Sequence, residues 1–222
     1  MLSNLKVSAA FAIAALVALI IFGLAPASAH PHVFVTVQIT VVIDKGTVTG
    51  FQHVWTFDEF YSAMAVEGLD KKQKGVYSRE ELSELAKVNM EGLKEFNYFT
   101  HATLAGKPLQ AGDPKPADYW LEHKADVLSL NFFLPLAQPV LVDAKDFAFS
   151  IYDSSYFIAF DLAKDDPVRL SEGAPKGCSL KIGTPQPEGS DGKRLNEAFA
   201  GQLGGAPVDS GVAKTITLAC AG

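Results

Sequence analysis

Two histidines flank a proline in the run "ASAHPHVFV", where an apolar leader gives way to a strand-like segment. A chain that begins at His30 offers an α-amino group and an imidazole nitrogen from one residue, and His32 adds a second imidazole. An α-amino group has a pKa of about 8, so a metal ion competes for it readily at neutral pH. Such a nitrogen-rich set suits copper, nickel or zinc. Pro31 excludes the planar peptide chelate, because proline lacks the backbone N–H that this chelate must lose.

Residues 1–29 have the pattern of an export signal. Lys6 precedes the apolar run "FAIAALVALIIFGLA", which closes at "APASA" with small residues at Ala27 and Ala29. This pattern predicts cleavage after Ala29, so that His30 becomes the first of 193 mature residues out of the 222. The alternative is an uncleaved anchor helix, since the apolar run is nearly long enough to span a bilayer.

Charge and cysteine content narrow the class of protein. Without Lys6, 18 basic residues face 25 acidic ones, a formal charge of −7, and no basic block is present, which argues against a nucleic-acid partner. No second long apolar run occurs, so we expect a mature chain that does not span the membrane. Export also brings Cys178 and Cys220 into an oxidising compartment, which predicts a disulfide between them. A metal pair is the alternative, although the two cysteines lack a CxxC spacing.

The segment after the leader predicts a β-hairpin followed by a helix. Apolar and polar residues alternate on both sides of Asp44-Lys45-Gly46. Helical spacing then begins, with Asp58 as the expected N-cap. The predicted apolar face of this helix consists of Phe57, Phe60, Tyr61 and Met64.

A second helix is predicted from Ser78, which forms a capping box with Glu81. Its predicted apolar face contains Leu82, Leu85, Ala86, Val88, Met90 and Leu93. The stretch between the helices has the frame of an EF-hand calcium loop, with Asp70 first, Gly75 sixth, Ser78 ninth and Glu81 twelfth. Lys72 and Lys74 stand at positions three and five, where the pattern needs acids, so we expect this loop to bind no ion.

The rest of the chain is rich in predicted strands, and the whole predicts an α+β fold. Its body is a mostly antiparallel, β-sandwich-like domain over residues 30–182, with an EF-hand-like helix-loop-helix inserted at 57–96. Residues 183–222 form a Gly/Pro-rich excursion with a short helix around "KRLNEAFAGQL" and a last strand in "AKTITLACAG". The predicted disulfide ties this strand back to the body.

The hairpin register indicates which acids lie near the histidines. A two-residue turn at Lys45-Gly46 pairs Asp44 with Thr47, and counting back places Gln38 opposite His53 and His32 near Glu59. Asp58 and Glu59 therefore become candidate ligands, with helix capping as the alternative for Asp58.

His53 lies about 20 Å along the strand from His32 and is a poor co-ligand. In "IYDSSYF", Asp153 is either a turn cap or a carboxylate directed at the histidines. His101 and His123 have no placement from sequence, and Trp55 and Phe57 share a strand face that we assign to the core.

Several stretches together resemble one family of exported bacterial proteins: "AHPHVFV", "HVWTFDEFYSA", "LKEFNYFT", "NFFLPL", "YDSSYFIAF" and "GAPKGCSL". The resemblance covers residues 28–182 and not the later tail. Members are commonly labelled periplasmic components of an ABC-type transport system, and their genes often lie beside nickel/cobalt efflux permeases or zinc-uptake genes. This chain has Ser154 where many members have proline, and lysines after Asp70 where many have acids. The resemblance implies a periplasmic protein that serves an inner-membrane metal permease.

The leading hypothesis is a non-enzymatic metal-binding accessory protein. It would hold nickel, cobalt, zinc or copper through His30 and His32, with Asp58, Glu59 and Asp153 as further candidate ligands. A structural or interaction module without metal is one alternative. A copper-dependent oxidative enzyme with an N-terminal histidine is another, although no flat aromatic substrate face is evident. A two-lobed solute receptor is disfavoured because 193 residues are few for two lobes.

Overall fold

The computed structural model describes residues 32–69, 77–155, 157–183 and 213–220. The chain divides into two units, Met1–His30 and Pro31–Gly222, and all the described residues belong to the second. The predicted leader, His30 and the predicted helix around "KRLNEAFAGQL" lie outside the described residues, as do Asp70 and Gly75.

Within this part of the chain the strands are β1 Val33–Asp44, β2 Thr47–Phe57, β3 Thr100–Leu104, β4 Lys107–Pro108, β5 Tyr119–Lys124, β6 Val127–Leu141, β7 Phe147–Ile151, β8 Ile158–Leu162, β9 Val168–Leu170, β10 Cys178–Ile182 and β11 Ile216–Cys220. The α-helices are α1 Glu59–Ala65 and α2 Ser83–Lys94. Short helical turns cover Asn97–Phe99 and Pro116–Asp118. The architecture is therefore β-rich with few helices, as the sequence predicts.

The strands form two sheets. One has the order β5-β6-β2-β1-β8, with β9 also pairing with β1, and the other has the order β10-β11-β7-β3-β4. Most pairings are antiparallel, but β8 and β9 both run parallel to β1. The sequence pattern does not indicate these parallel partners, because β8 and β9 pair with a strand more than 100 residues earlier.

The predicted hairpin is present, with a shifted register. Lys45 and Gly46 both have positive φ (48° and 74°), as a tight two-residue hairpin turn requires, and Asp44 pairs with Thr47. A bulge follows, after which Val42 pairs with Gly50. Ile39, and not Gln38, therefore lies opposite His53, so the predicted pairing of Gln38 with His53 is wrong by one residue.

The core lies between the two sheets and is rich in aromatic rings. Trp55 and Phe57 are buried, as predicted. Phe51 on β2 contacts Phe149 on β7, with ring centroids 4.7 Å apart, and so joins the inner faces of the two sheets. Burying each such side chain contributes about 1.5–3 kcal/mol. The alternation of buried and exposed residues along β1 follows from the two-residue period of its sequence.

The helical faces differ from the expected ones. In α1, Phe60 and Met64 are exposed, whereas Ser62 is fully buried and its hydroxyl accepts the Leu128 backbone N–H at 3.0 Å. In α2, Ala86 and Met90 are buried as predicted, but Val88 is 63% exposed. The expected apolar faces are therefore too wide, because each short helix buries only a narrow stripe against the sheet.

Helix α2 begins five residues later than predicted. The capping contacts exist all the same: the Ser78 N–H donates to Glu81 Oε2 at 2.7 Å, and the Glu81 N–H donates to Ser78 Oγ at 3.3 Å. They close a turn over residues 79–82 that precedes the regular helix. Among the described residues, no helix has the length and apolar character needed to cross a membrane.

Candidate functional site

His32 lies exposed just before β1, at one end of the larger sheet. Its backbone N–H donates to the Phe157 carbonyl at 2.9 Å, and its ring lies 5.0 Å from the Phe157 ring, centroid to centroid. Within the described part of the chain, no hydrogen bond reaches either of its ring nitrogens. The backbone of His32 is therefore held in place by a hydrogen bond, and its imidazole is available to a ligand.

Asp58 joins the start of β1 to the start of α1. Its Oδ1 accepts the Tyr61 N–H at 2.8 Å, which confirms the predicted N-cap, and its Oδ2 accepts the Phe34 N–H at 2.9 Å. The Asp58 N–H donates in turn to the Phe34 carbonyl at 3.0 Å. Each carboxylate oxygen thus already holds a backbone donor. Glu59, the first residue of α1, is exposed, and an acid there interacts favourably with the helix dipole.

Asp153 organises the loop between β7 and β8. It is buried, with Oδ1 accepting the N–H and hydroxyl of Ser155 (2.8 and 2.7 Å) and Oδ2 accepting the N–H groups of Phe157 and Ile158 (both 3.0 Å). This is the turn-cap arrangement that the sequence left open as one of two alternatives. A carboxylate that accepts this many donors is well compensated for its burial.

The structure therefore links both His32 and Asp153 to the backbone of Phe157, His32 through its carbonyl and Asp153 through its N–H. Asp58 bonds instead to Phe34, two residues after His32. In the described ranges, no group of three or more His, Cys, Asp or Glu side chains is close enough to hold a metal ion. The first candidate ligand, His30, lies outside those ranges.

Comparison with known proteins shows the family to which this chain belongs. A family model described as "Protein of unknown function (DUF1007)" matches residues 15–220. The chain belongs to the DUF1007 family. The match includes the C-terminal tail, so the expectation that the family likeness ends at residue 182 is wrong.

Two uncharacterized bacterial proteins are similar in sequence to this DUF1007 chain. An uncharacterized protein of Haemophilus influenzae is 29% identical over 154 residues, which cover 69% of this chain and 72% of the relative. An uncharacterized 15.5 kDa protein from the trpE 3′ region of Spirochaeta aurantia is 31% identical over 115 residues, which cover 50% of this chain and 79% of the relative.

His53 of this DUF1007 chain lies inside the core, remote from any solvent. Its Nδ1 accepts the Trp55 Nε1–H at 3.3 Å, so its proton belongs on Nε2, which faces the Thr100 hydroxyl at 3.4 Å. That hydroxyl donates to the Tyr98 carbonyl at 2.9 Å. Burial lowers the pKa of His53 from 6.5 to about 3. His53 is therefore a neutral residue that connects the two sheets by hydrogen bonding. The only sequence signal of this role is a histidine at an inward-facing position of a predicted strand.

A left-handed turn presents Thr100 to His53. Asn97, Tyr98 and Phe99 have φ values of 51°, 53° and 48°, a conformation that costs roughly 1–2 kcal/mol for each residue with a Cβ. The Asn97 side-chain amide donates to the Thr100 carbonyl at 2.8 Å, and Tyr98 and Phe99 are buried. Core packing offsets the backbone strain, and no glycine marks the turn in the sequence.

The two remaining histidines have different surroundings. The His101 ring stacks on Tyr152 with centroids 4.0 Å apart, and its Nε2 lies 3.3 Å from the Tyr152 carbonyl. His123 is buried edge-on against Tyr77, and no described residue forms a hydrogen bond with its Nδ1.

The predicted disulfide joins Cys178 to Cys220 and is confirmed. The two cysteines lie directly opposite each other on β10 and β11. The bond therefore links the C-terminal strand to the edge strand β10, while strand pairing joins β11 to β7 on its other side.

A surface network anchors the turn before α2 to β5. Arg79 donates to Glu122 Oε1 at 2.6 Å while its guanidinium lies 4.6 Å from the centre of the Trp120 ring. Lys124 donates to Glu122 Oε2 at 2.8 Å, and the Trp120 indole N–H donates to Oε1 at 3.1 Å. Hydrogen bonds from Lys124, Arg79 and Trp120 together lower the pKa of Glu122 to about 2.

Proposed function

We propose that this DUF1007 chain is a periplasmic, non-enzymatic protein that binds a divalent transition metal at its mature N-terminus and serves an inner-membrane metal permease. The observation that supports this proposal is the exposed imidazole of His32, which no described residue engages by hydrogen bonding. It is the third residue after the predicted cleavage point. Cleavage there would add the amine and imidazole of His30 to the same short stretch.

The surroundings of His32 favour a nitrogen-rich ligand set. The oxygens of Asp58 and Asp153 already accept backbone or hydroxyl donors, so a metal ion bound to either carboxylate would compete with these hydrogen bonds. Nickel, cobalt, zinc and copper accept nitrogen ligands well, whereas magnesium and calcium prefer oxygen. The proposed cargo is therefore one of these four metals.

The segment that joins α1 to α2 takes no part in metal binding under this proposal. Lys72 and Lys74 replace two of the acids of a calcium loop, and ammonium groups repel a divalent cation at short range. Ser78 and Glu81 already bond to each other's backbone.

The test is isothermal titration of Ni²⁺, Cu²⁺ and Zn²⁺ into protein that begins at His30. The matched control is the same protein with its N-terminal amine acetylated, which removes the amine as a ligand and keeps both imidazoles in place. We expect the control and His32→Gln each to bind at least about tenfold more weakly, since each loses one ligand to the metal. Equal affinity in all three proteins would refute the N-terminal site.

A structural or interaction module without metal is the second candidate. It is favoured by the complete use of Asp58 and Asp153 in backbone hydrogen bonds, which makes both acids fold-determining residues. Titration of the protein beginning at His30 separates the two candidates, because only the first predicts saturable binding at one metal per chain.

A further inference from the structure

Phe157 lies beside His32, and its backbone connects His32 to Asp153 through hydrogen bonds. Its N–H donates to Asp153 Oδ2 at 3.0 Å, and its carbonyl accepts the N–H groups of His32 (2.9 Å) and Val33 (3.3 Å). The backbone of Phe157 is thus held by the buried Asp153 carboxylate at its N–H and by the His32 and Val33 N–H groups at its carbonyl.

The Phe157 side chain is 53% exposed, although phenylalanine is among the residues most often buried. Its ring lies 5.0 Å from the His32 imidazole at an interplanar angle of 39°. A ring at this distance restricts the rotamers of an exposed histidine, whose side chain would otherwise sample several staggered wells.

We infer that Phe157 is a positioning residue that holds the His32 imidazole in one orientation, and that Asp153 acts through it by fixing the Phe157 backbone. The benefit of this orientation rests on the proposed function: a histidine ligand that is already oriented loses less entropy when a metal ion binds. The geometric content of the inference, an ordered His32 side chain, is independent of metal.

Phe34 provides a matched control. It is 50% exposed, lies two residues from His32 on β1, and has its N–H bonded to Asp58. Phe34→Ala therefore removes a comparable exposed ring from the same region, while the hydrogen bonds of Phe157 remain.

The first measurement is NMR of the metal-free protein beginning at His30. In the wild type we expect nuclear Overhauser contacts between the His32 and Phe157 rings and a ring-current shift of the His32 Cε1 proton. Both should vanish in Phe157→Ala, persist in Phe34→Ala and return in Phe157→Tyr. His32 signals that are identical in the wild type and Phe157→Ala would overturn the inference.

The second measurement is the affinity for Zn²⁺ in the same four proteins. Fixing one flexible side chain in advance corresponds to a difference of about 2- to 13-fold in affinity. We expect a loss in that range for Phe157→Ala alone. An unchanged affinity in Phe157→Ala would refute its role in binding, whereas absence of Zn²⁺ binding in the wild type, with the NMR contacts present, would refute the proposed function and leave the positioning of His32 supported.

Discussion

The indole N–H of Trp55 donates a hydrogen bond to Nδ1 of His53, 3.3 Å away, in the core between the two sheets. This bond holds one tautomer of the imidazole, with its proton directed at Thr100. Phe132 stacks on the same ring with centroids 4.6 Å apart. A protonated His53 would place an uncompensated charge in this apolar environment, which explains its lowered pKa.

The neutral His53 predicts acid sensitivity of the fold. Its pKa is about 3 in the folded protein against 6.5 as the ordinary value, so between these values only the unfolded chain binds the proton. The contribution of neutral His53 to the free energy of unfolding is therefore fully present above about pH 6.5. It falls by about 1.4 kcal/mol per pH unit as the pH decreases toward 3. We expect His53 to contribute a loss of about 2 kcal/mol between pH 7.5 and pH 5, measured by urea unfolding at the two values.

Two controls isolate the contribution of His53. His53→Phe removes the titrating group, so its unfolding free energy should fall by about 2 kcal/mol less over the same pH interval. NMR of the wild type gives a second check that does not depend on the variant folding. A His53 ring signal that titrates between pH 8 and pH 5 would contradict the prediction.

Features encoded by neighbouring residues could be predicted from the sequence. The Lys45-Gly46 turn and the Asp58 cap each depend on a few adjacent positions and local hydrogen bonds. The one-residue bulge beside Gly50 could not be predicted, because it arises where β2 meets both β1 and β6. The exposure of Val88 has the same origin: periodicity shows that a helix has an apolar face but not how wide a stripe its partner covers.

The candidate site was predictable only in part. The sequence indicates that Asp153 is either a turn cap or a carboxylate near the histidines, and its four accepted hydrogen bonds show the cap. The contact between Phe157 and His32 depends on parallel pairing of β8 with β1, which joins segments far apart in the chain. No local pattern carries that information.

Asp58 should be important for stability independently of any ligand. Asp58→Ala removes the cap of α1 and leaves the Phe34 N–H without its acceptor. Loss of an N-cap costs about 1 kcal/mol and loss of a further hydrogen bond a similar amount, so we expect about 2 kcal/mol of destabilisation by urea unfolding. The neighbouring Glu59→Ala, an exposed position, should change stability by less than about 0.5 kcal/mol. Equal effects at the two positions would contradict this assignment.

The Cys178–Cys220 disulfide should stabilise the fold by restricting the unfolded chain. The cysteines are 42 residues apart in sequence, and loop closure of that length corresponds to about 4 kcal/mol. We therefore expect the Cys178→Ser, Cys220→Ser double variant to lose about this much in urea unfolding, relative to the oxidised wild type. The wild type unfolded in the presence of a reductant is the control and should match the variant. A reduced wild type as stable as the oxidised one would refute the prediction.

Gly50 should be intolerant of any side chain because the backbone of the paired strand β6 lies too close to it. A Cβ at this position would overlap the Leu134 carbonyl and lie 2.8 Å from Pro135 Cα, both of which are backbone atoms that cannot rotate away. We expect Gly50→Ala to lower the free energy of unfolding by about 2–3 kcal/mol, because two paired strands must separate to admit one methyl group. The matched control is Gly92→Ala inside α2, where a Cβ meets nothing within 4 Å. That variant should gain about 0.5–1 kcal/mol, since alanine is the better helix former. Changes of opposite sign in the free energy of unfolding of the two variants would establish that the close β2–β6 contact, and not the loss of a glycine as such, makes Gly50 intolerant of alanine. Changes of the same sign would contradict this explanation.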